Sequence, residues 1–503
     1  MSDNLLKTYT INSNDSEITI KILQQEGAYV KTYFLDIPEF GKGTEALLSS
    51  LRRTLIVETQ IKSERMMDPK FIAELKARFE EKATTFLKKR LPNLSKKEAD
   101  ILILSLINDM LGLGDLDFLL LDPNLEEIVV NSAKEPAWVY HKEFGWLKTT
   151  VFLNDEAEIH NYASVIARRV GKQVTVLNPL LDAHLITGDR ANATLFPISG
   201  RGNTLTIRRF RRDPWTVTDF IKNNTASAEI MALLWMAMQY EMNVVLSGGT
   251  ASGKTSFLNV CIPFIQPNHR VLTIEDTREI TLPDFMHWVP LTTREPNPEG
   301  KGAVGMLDLL INSLRMRPDR IIVGEIRRQR EAEVMFEAMH TGHSVYTTFH
   351  ANTADETINR FTNPPIDIPP TMLEAVHLNI VMFRNRRLGI RRVLEIAEFI
   401  PEKRGNTATV KANTIYRWHP SLDIIEKHNE SIRLFDELAL HTGFTRDEIN
   451  KDLREKQQIL EWMVNNNLRS ITHVGQTFAK YYSDPASIIS LAQKNKVPDW
   501  LKQ

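Results

Sequence analysis

The sequence predicts an α/β protein built around a phosphate-binding domain with a parallel sheet, preceded by mixed α/β units and followed by helices. Three observations lead there. From Phe220 onward, short apolar runs alternate with helical patterns, as in a parallel sheet covered on both faces. The run NVVLSGGTASGKT, Asn243 to Thr255, sets a buried strand before a glycine-rich loop and the start of a helix. The composition, 42% hydrophobic, 25% charged and 8% aromatic, belongs to a folded chain rather than a disordered one.

Length and charge bound the rest. At about 150 residues per domain, 503 residues divide into roughly three domains. The 62 basic and 63 acidic residues leave a net charge of -1, which argues against a dedicated nucleic-acid binder. With Cys261 as the single cysteine, no intrachain disulfide and no cysteine-rich metal site can form. The opening MSDNLLKTYTINSNDSEI lacks a basic segment followed by an apolar one, so no signal peptide is expected. The apolar run Ile101 to Ile107 falls far short of the roughly 20 residues that span a bilayer. A soluble, cytoplasmic chain able to dock on a membrane protein is the expectation.

Along the first hundred residues, Ile18, Ile20 and Ile22 alternate with polar neighbours, and Tyr29, Lys31, Tyr33 and Leu35 follow Gly27, which suggests short half-buried strands. Asp68 before Pro69 reads as a helix start, with Ile72, Leu75, Phe79 and Phe86 at helical spacing behind it. Ser95 and Glu98 form a capping box ahead of a second helix. The cluster Lys88, Lys89 and Arg90 reads as a solvated C-terminal helix turn. From about Leu111, strands are expected at Glu127 to Asn131, Trp138 to His141, Leu195 to Pro197 and Leu205 to Arg209. A hairpin turn falls at Gly145 and a helix runs from about Asn154 to Gly171. The basic run Arg208 to Pro214 reads as a linker suited to phosphate contact. In the last hundred residues helices return, with a capping box at Thr445 and Glu448 and a buried stripe of Ile449, Leu453, Leu460 and Met463.

The decisive segment is the phosphate loop: Gly248, Gly249, Thr250, Ala251, Ser252, Gly253, Lys254, Thr255 and Ser256. Glycines let backbone N–H groups turn inward around phosphates, and the next helix presents its positive end to them. Lys254 would reach the β- and γ-phosphates of ATP, and the Thr255 hydroxyl would ligate Mg²⁺. Cys261, on that helix among apolar neighbours, reads as a buried small hydrophobe. Hydrolysis needs a carboxylate at a neighbouring strand end. Glu275 and Asp276 follow Val271 to Ile274, and Glu325 follows Ile321 to Val323 and Gly324. Glu325 is the choice for general base. Because position 324 is glycine rather than aspartate, Glu275 is assigned to Mg²⁺ through water. His340, His343 and His350 do not match a zinc spacing, and a strand from Ser344 to Phe349 would carry His350 to the phosphate-bearing edge.

Taken together, these segments resemble the secretion ATPases of type II and type IV systems, above all the archaeal motors and the tight-adherence pilus ATPases. Gly248 to Thr255 is similar to that family's nucleotide loop, and TIEDTREI (Thr273 to Ile280) to its aspartate box. IIVGEIR (Ile321 to Arg327) is similar to its Walker B segment, in which glycine before glutamate is normal. TGHSVYTTFHANTADET (Thr341 to Thr357) is similar to its histidine box, with His343 and His350 as the two motif histidines. Upstream, LGLGDLDFLLLDPNLEEIVVN, GDRANA and TIRRF resemble its second N-terminal domain.

The resemblance implies a RecA-like ATPase core with catalytic Glu325, Lys254, Glu275 and His350. It implies Arg190 and Arg208 as arginines reaching phosphates across a domain junction, with Arg209 the substitute if the register slips by one. The implied division is an accessory, partner-docking domain over 1–105, a sensor domain over 106–212, a linker and motor entry over 213–229, the ATPase core over 230–400, and a mainly helical region over 401–503. The implied cofactors are ATP and Mg²⁺ without zinc, since the family's four-cysteine insertion is missing. Implied partners are five further copies in a homohexamer and a polytopic membrane platform protein at the inner face of the cell membrane, with no obligatory nucleic acid. The function implied is a motor for a type IV pilus-like filament or type II-like secretion. An archaellum motor, a pilus-retraction motor, a conjugation or DNA-uptake translocase, and a nucleotide-gated assembly protein with negligible turnover are the alternatives.

Overall fold

The computed structural model describes residues 4–13, 16–37, 41–59, 69–92, 94–185, 188–209, 214–296, 300–404 and 407–501. The chain divides into two compact units, Met1–Arg212 with Asn297–Lys301, and Asp213–Pro296 with Gly302–Gln503.

The first unit is organised by one sheet of nine strands: β1 (Asn4–Ser13), β2 (Ser16–Gln24), β3 (Thr32–Asp36), β4 (Leu125–Val130), β5 (Trp138–His141), β6 (Gly145–Thr149), β7 (Leu180–His184), β8 (Arg190–Thr194) and β9 (Thr204–Arg208). Their order is β1-β2-β3-β6-β5-β4-β9-β8-β7, antiparallel throughout except where β3 runs parallel to β6. The alternating isoleucines of β2 are buried, as are Tyr33 and Leu35 of β3, and all join the core of the strands after residue 125. The sheet and its core therefore run across position 105/106, where the sequence suggested a boundary. Asp122 ties the two segments: it is fully buried and accepts hydrogen bonds from Tyr9 Oη at 2.5 Å and Tyr33 Oη at 2.8 Å. Burial and the neighbouring carboxylate push both phenols far above their ordinary pKa.

Helices Lys42–Thr59, Pro69–Arg90 and Lys96–Leu111 form a bundle with its own core, including Leu51, Leu75, Phe79 and Leu106. The Ser95–Glu98 capping box is present, and Lys88, Lys89 and Arg90 occupy the last turn of their helix. Asp68 lies outside the described residues, as do 210–213 of the expected linker. Two expectations are corrected. Tyr29 is fully exposed in the turn before β3, since the strand begins only at Thr32. Leu195 to Pro197 is not a strand: β8 ends at Thr194 and the chain turns through 196–199, where the Phe196 N–H donates to Asn203 Oδ1 instead of to a ladder.

The second unit carries the expected doubly covered sheet. Its strands are β10 (Val244–Gly248), β11 (Val271–Glu275), β12 (Trp288–Thr292), β13 (Arg320–Val323), β14 (Ser344–Phe349), β15 (Leu378–Asn385), β16 (Ile390–Arg404), β17 (Thr407–His419) and β18 (Ile424–Lys427). The order is β12-β11-β13-β14-β10-β15-β16-β17-β18, parallel as far as β15 and antiparallel beyond. Alternate residues of β10 serve opposite faces. Val244 and Leu246 enter a core built with helices Ala228–Gln239, Lys254–Cys261 and Arg446–Asn465, while Val245 joins a core with helices Met306–Ser313 and Gln329–His340. This is why the strand reads as an unbroken apolar run.

The expected return to helices at 401 comes later. β16 runs straight through 400/401, pairs with β17, and the first C-terminal helix starts at Leu434. The Thr445–Glu448 capping box and the buried Ile449, Leu460 and Met463 are as expected, while Leu453 of that stripe is half-buried at the edge of the core. No helix among the described residues is long and apolar enough to cross a membrane.

Candidate functional site

β10 is buried at every residue and delivers the chain to Gly248, whose φ of +151° lies where L side chains rarely go. A Cβ there would also meet Ser252 Oγ at 2.5 Å and the Met382 carbonyl at 2.6 Å. The loop then turns through Ala251 (φ +58°) and Gly253 (φ +95°) into helix Lys254–Cys261. Lys254 is 8% exposed, and its Nζ donates to the carbonyls of Gly248 at 2.9 Å and Gly249 at 3.1 Å. Burial pulls its pKa below the ordinary lysine value, against the raising effect of Glu325. Thr255 is half-buried and Ser256 exposed in the first helical turn. A loop that excludes side chains, a helix N-terminus, a buried ammonium and a hydroxyl at the helix start fit a nucleotide polyphosphate with Mg²⁺ at Thr255.

Strand order fixes what stands beside the loop. β14, β13 and β11 lie one, two and three strands from β10, about 5, 10 and 14 Å at ordinary sheet spacing. His350 follows β14, Glu325 lies just past β13, and Glu275 ends β11. The first two are joined to the loop. His350 Nδ1 lies 3.4 Å from Lys254 Nζ, and its Nε2 lies 2.8 Å from Glu325 Oε1. The ammonium donates to Nδ1, so the tautomer that satisfies both contacts is neutral with the proton on Nε2, donated to Glu325. Burial, and then Lys254, lower the imidazole's pKa and favour this neutral form.

The other Glu325 oxygen, Oε2, accepts from Arg327 Nε at 2.8 Å and Nη2 at 2.5 Å. Arg327 Nη1 reaches on to Asp276 Oδ2 at 2.9 Å, and Asp276 Oδ1 accepts from Thr293 Oγ1 at 3.1 Å. Arg327 has no role in the sequence reading. Its signal was the i, i+2 spacing from Glu325, which leaves both side chains on one face of an extended segment.

Glu275 is 3% exposed, and its Oε1 accepts the backbone N–H groups of Glu279 at 2.9 Å and Ile280 at 3.1 Å. Burial pushes its carboxyl up to about 7 despite those bonds. The structure thus brings Lys254, His350 and Glu325 together, and sets Glu275 a strand beyond them. His343 sits at the opposite end of β14 from His350, with Nδ1 3.3 Å from Thr341 Oγ1, and His340 Nε2 contacts the Met372 carbonyl. Among the described residues no cluster of His, Cys, Asp or Glu could hold a metal ion. Cys261 is buried, and desolvation pushes its thiol far above the ordinary range.

Arg190 and Arg208 belong to the first unit, where they stand directly opposite one another on β8 and β9. Arg190 forms an ion pair with Asp182 at 2.6 Å. Arg209 donates to the Asp122 carbonyl.

Residues 189–387 match the family described as type II/IV secretion system protein. The chain is similar to an uncharacterized protein of Methanocaldococcus jannaschii, 36% identical over 401 residues covering 77% of this chain and 71% of that one. It is similar to the type IV secretion system protein PtlH of Bordetella pertussis, at 30% identity over 54% of this chain and 90% of the relative. A putative conjugal transfer protein of Mycobacterium tuberculosis is 28% identical over 62% of this chain and 89% of its own length.

Proposed function

The chain belongs to the type II/IV secretion ATPase family and is an ATP-hydrolysing enzyme, and from that premise we propose that it works as a homohexameric motor. Its output is assembly of a type IV pilus-like filament or type II-like secretion, through a polytopic platform protein at the cytoplasmic face of the membrane. The observation that carries the reading is the continuous contact from Lys254 through His350 to Glu325. It links the group that holds the terminal phosphates to the group that activates water. In this reading Glu325 takes a proton from the attacking water as its oxygen bonds to the γ-phosphorus and the bond to the bridging oxygen breaks. Thr255, assisted through water by Glu275, would hold Mg²⁺, which would neutralise charge on the phosphates. For Glu325 to accept that proton it must give up part of its contact with Arg327, whose two N–H groups occupy Oε2.

Arg190 and Arg208 are assigned to couple the nucleotide state to movement of the first unit. In this assignment, the departure of phosphate removes the attraction that Lys254 and these arginines have for it.

The test is Glu325→Gln in the full chain. It is expected to bind Mg-ATP as the native protein does and to release phosphate at least about a hundredfold more slowly. Native turnover would remove Glu325 from the role of base. The similarity to a putative conjugal transfer protein favours one second reading, DNA translocation. That reading requires hydrolysis stimulated by DNA with a steep salt dependence.

A further inference from the structure

A second group of cations stands over the phosphate loop, supplied by the β15–β16 hairpin. Arg384 and Arg391 are paired residues across that hairpin, and Arg386 lies in its turn. Like charges directly opposite on antiparallel strands repel, so the arrangement costs stability unless something anionic lies between or beside them. The neighbouring Arg392 is neutralised by two 2.7 Å contacts with Asp423. Arg391 is engaged with the loop itself, its Nε donating to the Ala251 carbonyl at 3.2 Å. Arg384, half-buried, and Arg386, exposed, take part in none of the ion pairs or side-chain hydrogen bonds among the described residues.

Both line a cavity of about 220 Å³ whose other walls are Gly249, Thr250 and Ser252 of the phosphate loop, Asn352, and Met382 with Phe383. Ser252 is 2% exposed, and its Oγ has no hydrogen-bond partner. A buried hydroxyl without a partner costs about 1–3 kcal/mol, and a ligand oxygen would satisfy it. Gly249, in the cavity wall, is one of the two residues whose carbonyls Lys254 Nζ contacts, and such a lysine meets the β- and γ-phosphates.

We propose that Arg384 and Arg386, contributed by the same chain as the phosphate loop, bind the terminal phosphate of the nucleoside triphosphate and make the site discriminate ATP from ADP. This rests on the nucleotide-site reading above and adds to it a pair of binding residues separate from Arg190 and Arg208. Charge-assisted hydrogen bonds to a phosphate oxygen are the strong class, and a ligand ending at the β-phosphate would leave them unused.

The experiment measures affinities of the full-length chain for AMP-PNP and for ADP, each with Mg²⁺, in the native protein, Arg384→Ala/Arg386→Ala, Arg384→Lys and Lys254→Ala. The double variant is expected to lose about tenfold to a hundredfold in AMP-PNP affinity and less than about threefold in ADP affinity, with Arg384→Lys in between. Equal losses for both nucleotides, or no loss for either, overturn the proposal. Lys254→Ala separates the two readings. If it leaves nucleotide affinity unchanged, the phosphate-loop reading itself fails, whereas a large loss there with a silent double variant sinks only the arginine assignment. Unfolding temperatures of the nucleotide-free variants identify any that fail to fold, and for those Arg384→Lys alone decides.

Discussion

Glu398 is a buried carboxylate of the second unit that accepts five hydrogen bonds, and replacing it with glutamine probes how the C-terminal helices are held to the nucleotide core. It is fully buried on β16. Oε1 accepts from Asn413 Nδ2 at 2.7 Å and the Ile432 N–H at 2.6 Å. Oε2 accepts from Ser431 Oγ at 3.0 Å and from the N–H groups of Arg433 at 3.0 Å and Leu434 at 2.7 Å. These backbone groups open helix Leu434–Thr442, so one side chain serves as its N-terminal cap from a distant strand.

Glutamine retains one acceptor oxygen and presents an NH₂ group where the other stood. In its better orientation the amide nitrogen faces Asn413 and Ile432. That leaves one backbone N–H without an acceptor, at about 1–3 kcal/mol, and removes an anion from the helix N-terminus, at about 0.3–1 kcal/mol. The expected loss is about 3 kcal/mol, which corresponds to roughly a hundredfold faster amide exchange across Ile432 to Thr442 where local opening governs exchange. Hydrogen exchange on the full chain is the suitable assay, because a two-unit protein has no single unfolding free energy. Exchange in that helix within about threefold of the native rate would refute the reasoning. Leu434 and Leu438 share a core with Phe257 and Leu258 of the helix that follows the phosphate loop. A loosened cap is therefore also expected to weaken nucleotide binding.

Two further outcomes are expected. Replacing Arg190 or Arg208 with alanine should lower the ATPase rate of the assembled protein about tenfold or more, while the melting temperature shifts by only a few degrees; an unchanged rate would remove the coupling role. His377 accepts the Asn243 N–H on Nδ1 at 2.9 Å, and burial, with Arg433 nearby, holds its pKa down to about 4. As pH falls below the ordinary histidine value of about 6.5, the unfolded chain takes up a proton that the folded one refuses. Stability present at neutral pH is thus lost progressively toward pH 4, by up to about 3 kcal/mol. His377→Phe should flatten that part of the difference curve, and a variant whose acid sensitivity matches the native protein would count against it.

How much of this was legible in the sequence follows from how local each feature is. The conformation of the glycine-rich loop could be read outright because a buried strand, two glycines with positive φ and a helix start are all encoded within thirteen consecutive residues. The acids and His350 were legible as strand-end residues, since a parallel strand ends where its apolar run ends. β1 was not, because Leu5 and Leu6 stay 54% and 40% exposed and of its apolar residues only Ile11 is buried, leaving no clean alternation.

The long β16–β17 ribbon was hidden by Glu395 and Glu398, buried polar residues that break the pattern, and by Pro401, which reads as a stop. Pro401 is tolerated because β15 stops pairing at Ala397, so beyond that point β16 has β17 on one side only. That same ribbon starts from the turn that sets Arg384 and Arg386 over a loop more than 130 positions earlier. No local pattern could announce that meeting. The strand order β14-β10-β15 creates it, by placing the histidine strand on one side of the phosphate loop and the arginine hairpin on the other. Local motifs therefore point to the loop and to the strand end that carries His350 on one side of it, whereas the arginine hairpin on the other side becomes visible only once the sheet is assembled.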